Sequence, residues 1–221
     1  MSDYFKNSVL EKIGERKRME GQKLIDRIIF ATENPGKIRE VKAILADLGL
    51  EILSLKEAGL TTNVAETGDS FEANAILKAK AVAADDHTIV MADDSGLEVD
   101  ALGGEPGIYS ARYLGEHTSY RVKNRTIIDR LAGKTGEERS ARFVCAIAAL
   151  LPDGTLLTSR GTIEGQIGYE ERGEGGFGYD PIFMVPELGC STAELSPEEK
   201  NAVSHRGRAL AEMKEKLRGI L

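Results

Sequence analysis

This 221-residue chain is expected to fold as an α/β domain around a mixed central sheet. Three observations carry that expectation. Short apolar runs alternate with stretches of helical periodicity, the order that builds a sheet with helices packed on it. No repeat, low-complexity tract or linker cuts the chain in two. Hydrophobic residues make up 41% and charged residues 29%, the mix of a globular protein that buries a sizeable core as one large domain or two small lobes.

Residues 1–24 form a charged N-terminal extension with Tyr4, Phe5, Val9, Leu10 and Ile13 at helix-like spacing. They read as an appended helix or a partly disordered tail, with no chemistry of their own. The domain proper is 25–221, and its rhythm starts at Ile28. Residues 27–32 form a buried strand, followed by the turn Glu33-Asn34-Pro35-Gly36. Ile38, Val41, Ile44, Leu45 and Leu48 then recur at helical spacing until Gly49 stops the helix. A strand at 51–55 precedes an Ala-rich helix at 70–84, capped by Asp69 or Ser70 and leading to a strand at 88–92. A helix near 119–132 and strands near 141–151 and 155–163 follow. Ser196-Pro197-Glu198-Glu199 is a capping box with Pro at the first helical position, opening a C-terminal helical region.

The totals exclude several classes. A net charge of −7 argues against a nucleic-acid polymer as partner, though a small phosphorylated ligand needs only a few local cations. Two cysteines make neither a zinc finger nor a disulfide framework, and Cys145 sits in an apolar run as a small hydrophobe. No apolar run approaches the ~20 residues that span a bilayer, and the N-terminus lacks a signal-peptide core. The expected location is cytoplasmic.

Five blocks carry chemistry. ADDSGLE at 92–98 places Asp93 and Asp94 where an apolar run ends, a strand end that suits either a divalent-metal site or a solvated turn. Thr32 to Lys37 runs from a strand into a helix N-terminus, where free N–H groups and Lys37 favour an anion. Glu66 precedes a helix on which Asn74 and Lys78, four apart, share a face. Residues 173–181 match G-x-G-x-x-G, but Pro181 and Ile182-Phe183 point to a strand rather than the helix that a dinucleotide fingerprint requires. What remains is a glycine loop presenting Phe177 and Tyr179 beside Asp180. Lys200 with Ser204-His205-Arg206 is a dense donor cluster for carbonyl or phosphate oxygens, whereas His87 and His117 read as surface residues. Neither a G-x-S-x-G elbow nor a convincing Cys–His pair is present, which argues against a covalent nucleophile.

In this order, TENPGK (32–37), ETGDSFEANAILKAKA (66–81), ADDSGLEVDALGGEPGIYSARY (92–113), GGFGYDP (175–181) and EEKNAVSHRG (198–207) resemble the inosine triphosphate pyrophosphatase family, from about Arg27 to the C-terminus. Residues 1–24 extend beyond the family's usual start, and Ala73 stands where many members carry Glu. The resemblance implies Mg²⁺-dependent hydrolysis of ITP, dITP and XTP to the monophosphate and pyrophosphate. It also implies an elongated mixed sheet flanked by helices in two lobes, the active site in the cleft between them, and a homodimer. It gives Thr32, Asn34 and Lys37 the triphosphate, with Lys78 assisting in catalysis. It places Glu66 and Asp94 at the Mg²⁺, with Asp94 as base for the attacking water. Ser95 would contact the nucleotide and Phe177 would stack on the base. Lys200, His205 and Arg206 would read the base edge, and Gly178, Tyr179 and Asp180 would complete the pocket. The alternatives are a related-fold pyrophosphatase acting on pyrimidine or modified nucleotides, and a nucleotide-binding regulator without catalysis.

Overall fold

A computed structural model of the chain describes residues 25–62 and 64–221, so the two readings of residues 1–24 lie outside the described residues. The first half runs β1 (Arg27–Phe30), α1 (Pro35–Leu45), β2 (Glu51–Ser54), α2 (Phe71–Lys80) and β3 (Thr88–Val99). The second runs α3 (Tyr120–Arg130), β4 (Ser140–Leu150), β5 (Leu156–Ile167), β6 (Phe183–Val185), β7 (Cys190–Ser191), α4 (Pro197–Val203) and α5 (His205–Arg218). The strands make one sheet in the order β2-β1-β3-β4-β5-β6-β7. β1 pairs in parallel with β2 and β3, and every later pairing is antiparallel, so the sheet is mixed as expected.

Local chemistry explains the helix starts. Asn34 caps α1, its side chain accepting from Gly36 N and Lys37 N, with Pro35 at the first position. Ser70, not Asp69, caps α2 by accepting from Ala73 N. The capping box at Ser196 and Glu199 is present at α4. Among the described residues no helix is long and apolar enough to cross a membrane.

The main departure from expectation is β3. The sequence predicts a strand ending at Ala92 with the acids in a turn, yet β3 continues to Val99. Its pairing with β4, from Val90↔Leu150 to Val99↔Ala141, holds Asp-Asp-Ser-Gly extended. Side chains alternate across a strand, so Asp93 and Asp94 leave the sheet on opposite faces. Ile89 and Met91 pack with Val41 and Leu45 of α1 on one face. Val90 and Ala92 pack with Ala75 and Ala79 of α2 on the other. The crossovers through α1 and α2 thus flank β1 from opposite sides.

β1 stops pairing with β3 at Phe30↔Met91, after which the β1-side edge of β3 faces a crevice. Open α/β sheets bind ligands at such a switch between crossover directions. The long antiparallel strands carry a second core beyond it. Leu97 and Val99 of β3, Phe143 of β4 and Ile163 of β5 pack there with Ile127 of α3 and Phe183 of β6. The polar stretch Asp93–Ser95 separates the two cores.

Candidate active site

A cleft of about 470 Å³ opens between the two cores. It is lined by Thr32, Asn34, Lys37, Glu66, Lys78, Ser95, Phe177, Gly178, Tyr179, Asp180, Lys200, His205 and Arg206, which brings residues from all five sequence blocks together. Asp94 stands one layer behind this lining, with its side chain 8% exposed.

The start of α1 differs from its expected form. Gly36 N and Lys37 N donate to Asn34 Oδ1 at 2.8 and 3.3 Å, so the helix N–H groups are already engaged by the capping side chain. The side chains of Thr32 and Lys37, rather than a bare N-terminus, face the cleft. Lys37 Nζ donates to Asp93 Oδ1 at 2.9 Å.

The adjacent acids occupy different electrostatic settings. Asp93 is buried, yet Lys37, Arg206 and Lys78 overcome the cost of burial and hold its carboxyl far below the usual carboxylate range. On the opposite face Asp94 accepts from Asn74 Nδ2 at 3.2 Å and from Lys78 Nζ at 2.9 Å. Burial pushes its carboxyl up. Lys78 pulls it back only in part, and the charge of Glu66 adds to the rise. Lys78 Nζ also donates to Glu66 Oε1 at 3.0 Å, so one ammonium bridges two carboxylates. Burial opposes ionisation of Glu66, but Lys78 and Arg112 keep its carboxyl below the usual range.

No cluster of three or more His, Cys, Asp or Glu that could hold a metal occurs among the described residues. Glu66 and Asp94 nevertheless fit Mg²⁺, which characteristically takes one or two protein carboxylates and completes its octahedron with water and substrate phosphate. A cationic Lys78 group already lies between the two carboxylates, as the donor set requires.

The other end of the cleft is built from the glycine loop and the C-terminal helices. Asp180 Oδ2 accepts from Phe177 N at 2.7 Å and from Lys200 Nζ at 2.7 Å. Gly176 allows that closure: its φ is +67°, and a Cβ there would lie 2.2 Å from Asp180 Oδ2. The Phe177 ring lies against Gly36, where a Cβ would come within 2.6 Å of it. Lys200 Nζ sits 4.7 Å from the centre of that ring. Tyr179 is buried, donates its hydroxyl to Ser110 O at 2.8 Å, and meets Tyr120 edge-on. Pro181 falls in a short 3-10 turn that leads into β6, in keeping with the strand expected there.

His205 stacks on Phe143 with ring centroids 4.8 Å apart. Burial, reinforced by Arg206 and Lys200, holds its pKa well below the usual histidine value, so the imidazole is neutral. Its buried Nδ1 has no hydrogen-bond partner among the described residues. Arg206 is fully engaged, donating to Asp93 Oδ2, to Glu40 Oε2 at 2.5 Å and to Ser95 Oγ at 2.9 Å.

Three contributors escaped the sequence reading. Glu40 takes both Lys200 and Arg206, and its only signal was the i,i+3 spacing from Lys37. Arg112 grips Glu66 from within a quoted block, but spacing gave it no partner. Asn124 donates to Gly178 O at 3.3 Å from α3, with no local signal at all.

The site is a crevice at the switch point of a mixed sheet, lined by paired lysines and carboxylates and ending in aromatic rings. The family model of the Ham1 family matches residues 28–216, and the chain belongs to that family. It is similar to the dITP/XTP pyrophosphatase of Exiguobacterium sibiricum, at 48% identity over 88% of this chain and 98% of that protein. The dITP/XTP pyrophosphatase of Bacillus subtilis is 47% identical over 86% of this chain and 96% of its own. Among solved structures, the Ham1 protein of Staphylococcus aureus superposes with a TM-score of 0.78 and 43% identity, covering 89% of this chain and all (100%) of that one.

Proposed function

We propose that the protein hydrolyses non-standard purine nucleoside triphosphates, dITP, XTP and ITP, to the nucleoside monophosphate and pyrophosphate. The observation that carries this reading is Lys78 bridging Glu66 and Asp94 in a cleft whose other end presents Phe177 and His205. The names of the relatives, dITP/XTP pyrophosphatase, support the same substrate class.

Cleaving a phosphoanhydride needs charge neutralisation, a positioned water and a place for its proton. Thr32, Lys37 and Lys78 would hold the triphosphate, with Asn34 keeping the turn before α1 in shape. Glu66 and Asp94 would hold Mg²⁺, which when bound neutralises phosphate charge and acidifies water. Asp94 would take the proton of the attacking water on its carboxylate, a task suited to a carboxyl whose proton affinity burial has raised. Phe177 would stack on the base, with Gly178 and Tyr179 forming the wall and Asp180 fixing Lys200. His205, neutral and lining the cleft beside Lys200, would meet the purine edge. Arg206 and Ser95 would hold that end in register, since the donors of Arg206 are engaged by Asp93, Glu40 and Ser95. The reading includes a cytoplasmic homodimer, which light scattering and cell fractionation test.

The test is pyrophosphate release from a panel of dITP, XTP, ITP, ATP, GTP, CTP and UTP, with Mg²⁺ or with EDTA. Release is expected from the first three, with Mg²⁺ only. Binding without release supports the regulator instead, and preferential cleavage of CTP or UTP supports a pyrimidine enzyme.

A further inference from the structure

The loop between β2 and α2 carries Glu66 without regular structure around it. Its described backbone tethers near Glu66 are local: Thr67 N donates to Ala65 O at 3.0 Å, and Gly68 N to Asn74 Oδ1 at 2.8 Å. One tether comes from the other side of the cleft. Arg112 Nη1 donates to Glu66 Oε2, and Arg112 Nη2 donates to the Glu66 carbonyl at 3.3 Å. The guanidinium therefore fixes both the side chain and the backbone of that residue, leaving Oε1 to Lys78. Arg112 is absent from the cleft lining, so it reaches the site through Glu66.

Arg112 is itself rigidly placed. It ends the 3-10 turn Gly107–Arg112, whose neighbouring groups are tied to the second core at several points. Leu97 N of β3 donates to Ser110 Oγ at 2.9 Å. Tyr179 of the glycine loop donates to Ser110 O at 2.8 Å. Lys123 of α3, buried, donates to Ala111 O at 2.6 Å. One short turn thus touches the aromatic end of the cleft through Ser110 and the carboxylate end through Arg112.

We infer that Arg112 is a positioning residue that fixes Glu66 from across the cleft, and that the turn Gly107–Arg112 mechanically joins the purine end to the phosphate end. The inference rests on the proposed role of Glu66 as a metal-holding carboxylate. Groups that orient a metal-holding residue characteristically matter by roughly 10–100-fold in metal affinity or activity.

The test compares wild type, Arg112→Gln, Arg112→Lys, Glu66→Gln and the double variant Glu66→Gln/Arg112→Gln. The first readout is amide hydrogen exchange of residues 64–69 in protein free of metal and nucleotide. Faster exchange confined to that loop in Arg112→Gln, partly restored in Arg112→Lys, is expected. The second is the Mg²⁺ dependence of pyrophosphate release from dITP. Arg112→Gln should raise half-saturating Mg²⁺ or lower kcat by roughly 10–100-fold, with a smaller change in nucleotide KM at saturating Mg²⁺. Because Arg112 acts through Glu66, the double variant should be no worse than Glu66→Gln alone. Losses that multiply, or unchanged exchange in the loop, would overturn the inference. An inactive wild type would instead overturn the proposed function, and loop exchange would still decide whether Arg112 fixes the loop.

Discussion

Asp93 and Asp94 are neighbours in the chain, but the sheet sends them to opposite faces. Asp93 is fully occupied by Lys37, Ser95 and Arg206, and a buried thiol, Cys145, faces the same carboxylate. Asp94 shares a single lysine with Glu66 just behind the cleft wall. The difference teaches how one strand sets two adjacent carboxyls in opposite electrostatic settings, one held low by three cations and one pushed up by burial. A carboxyl held low by folding contributes stability above its unfolded pKa of about 3.9 and loses it as pH falls. A carboxyl raised by folding does the reverse, favouring the folded state as it becomes protonated, so its charged form is stabilising nothing at neutral pH. The proposed reading therefore gives stability to Asp93 and the proton transfer to Asp94.

The largest effect should come from the Asp94 side. Asp94→Asn is nearly isosteric and removes the proton acceptor, so kcat for dITP should fall at least ~10²-fold while the melting temperature holds or rises. Near-normal turnover in a folded variant would break the contrast at its active half.

Arg206→Ala attacks the other side. It leaves buried Asp93 and half-buried Glu40 without their guanidinium, and breaking the buried Asp93 pair in this way costs about 3–5 kcal/mol. Denaturant unfolding measures it. Unchanged stability with a reduced dITP-to-ATP ratio of kcat/KM would make Arg206 a base reader rather than part of the anchor.

Lys37→Ala sharpens the boundary, because Lys37 both pairs with Asp93 and lines the cleft. The triphosphate KM should rise about tenfold or more, the scale of a lost charge-assisted hydrogen bond. Stability should also fall, by less than for Arg206→Ala, since Asp93 keeps its guanidinium. From sequence alone Lys37 would be an exposed helix-start residue with little effect on folding. Its pairing with a buried acid changes that expectation.

The smallest effect is a pH dependence. His205 is neutral when folded and titrates near 6.5 when unfolded, so below that point the unfolded chain binds the extra proton. Stability should fall by about 1.4 kcal/mol per pH unit from roughly pH 6.5 downwards, and His205→Gln should flatten that part of the profile. An equally steep profile in the variant would place the titrating group elsewhere.

Much of this arrangement was legible in sequence because the residues cluster where strands give way to helices and loops. TENPGK, the Glu66 loop and the glycine loop announced themselves through turn chemistry and caps. The reading failed where tertiary pairing overrode local preference. Asp-Asp-Ser-Gly has the composition of a turn, and only the ladder to β4 keeps it extended. Had the strand been carried through, its period of two would have separated the acids at once. Glu40 and Arg112 were invisible for another reason: their partners, Lys200 with Arg206 and Glu66, are remote in sequence, and spacing along a chain says nothing about remote charges.

The most direct test of the account exchanges the two acids separately, Asp93→Asn and Asp94→Asn, and measures two quantities on each: the free energy of unfolding at pH 7, and kcat for pyrophosphate release from dITP. Asp93→Asn should lose several kcal/mol of stability, the scale of a broken buried ion pair, while the fraction that remains folded keeps turnover within about tenfold of wild type, a loss of ~1.4 kcal/mol or less in transition-state stabilisation. Asp94→Asn should keep its stability and lose turnover. If both variants lose turnover equally with stability unchanged, the acids act as one catalytic pair and the division of labour between the two faces of β3 is wrong.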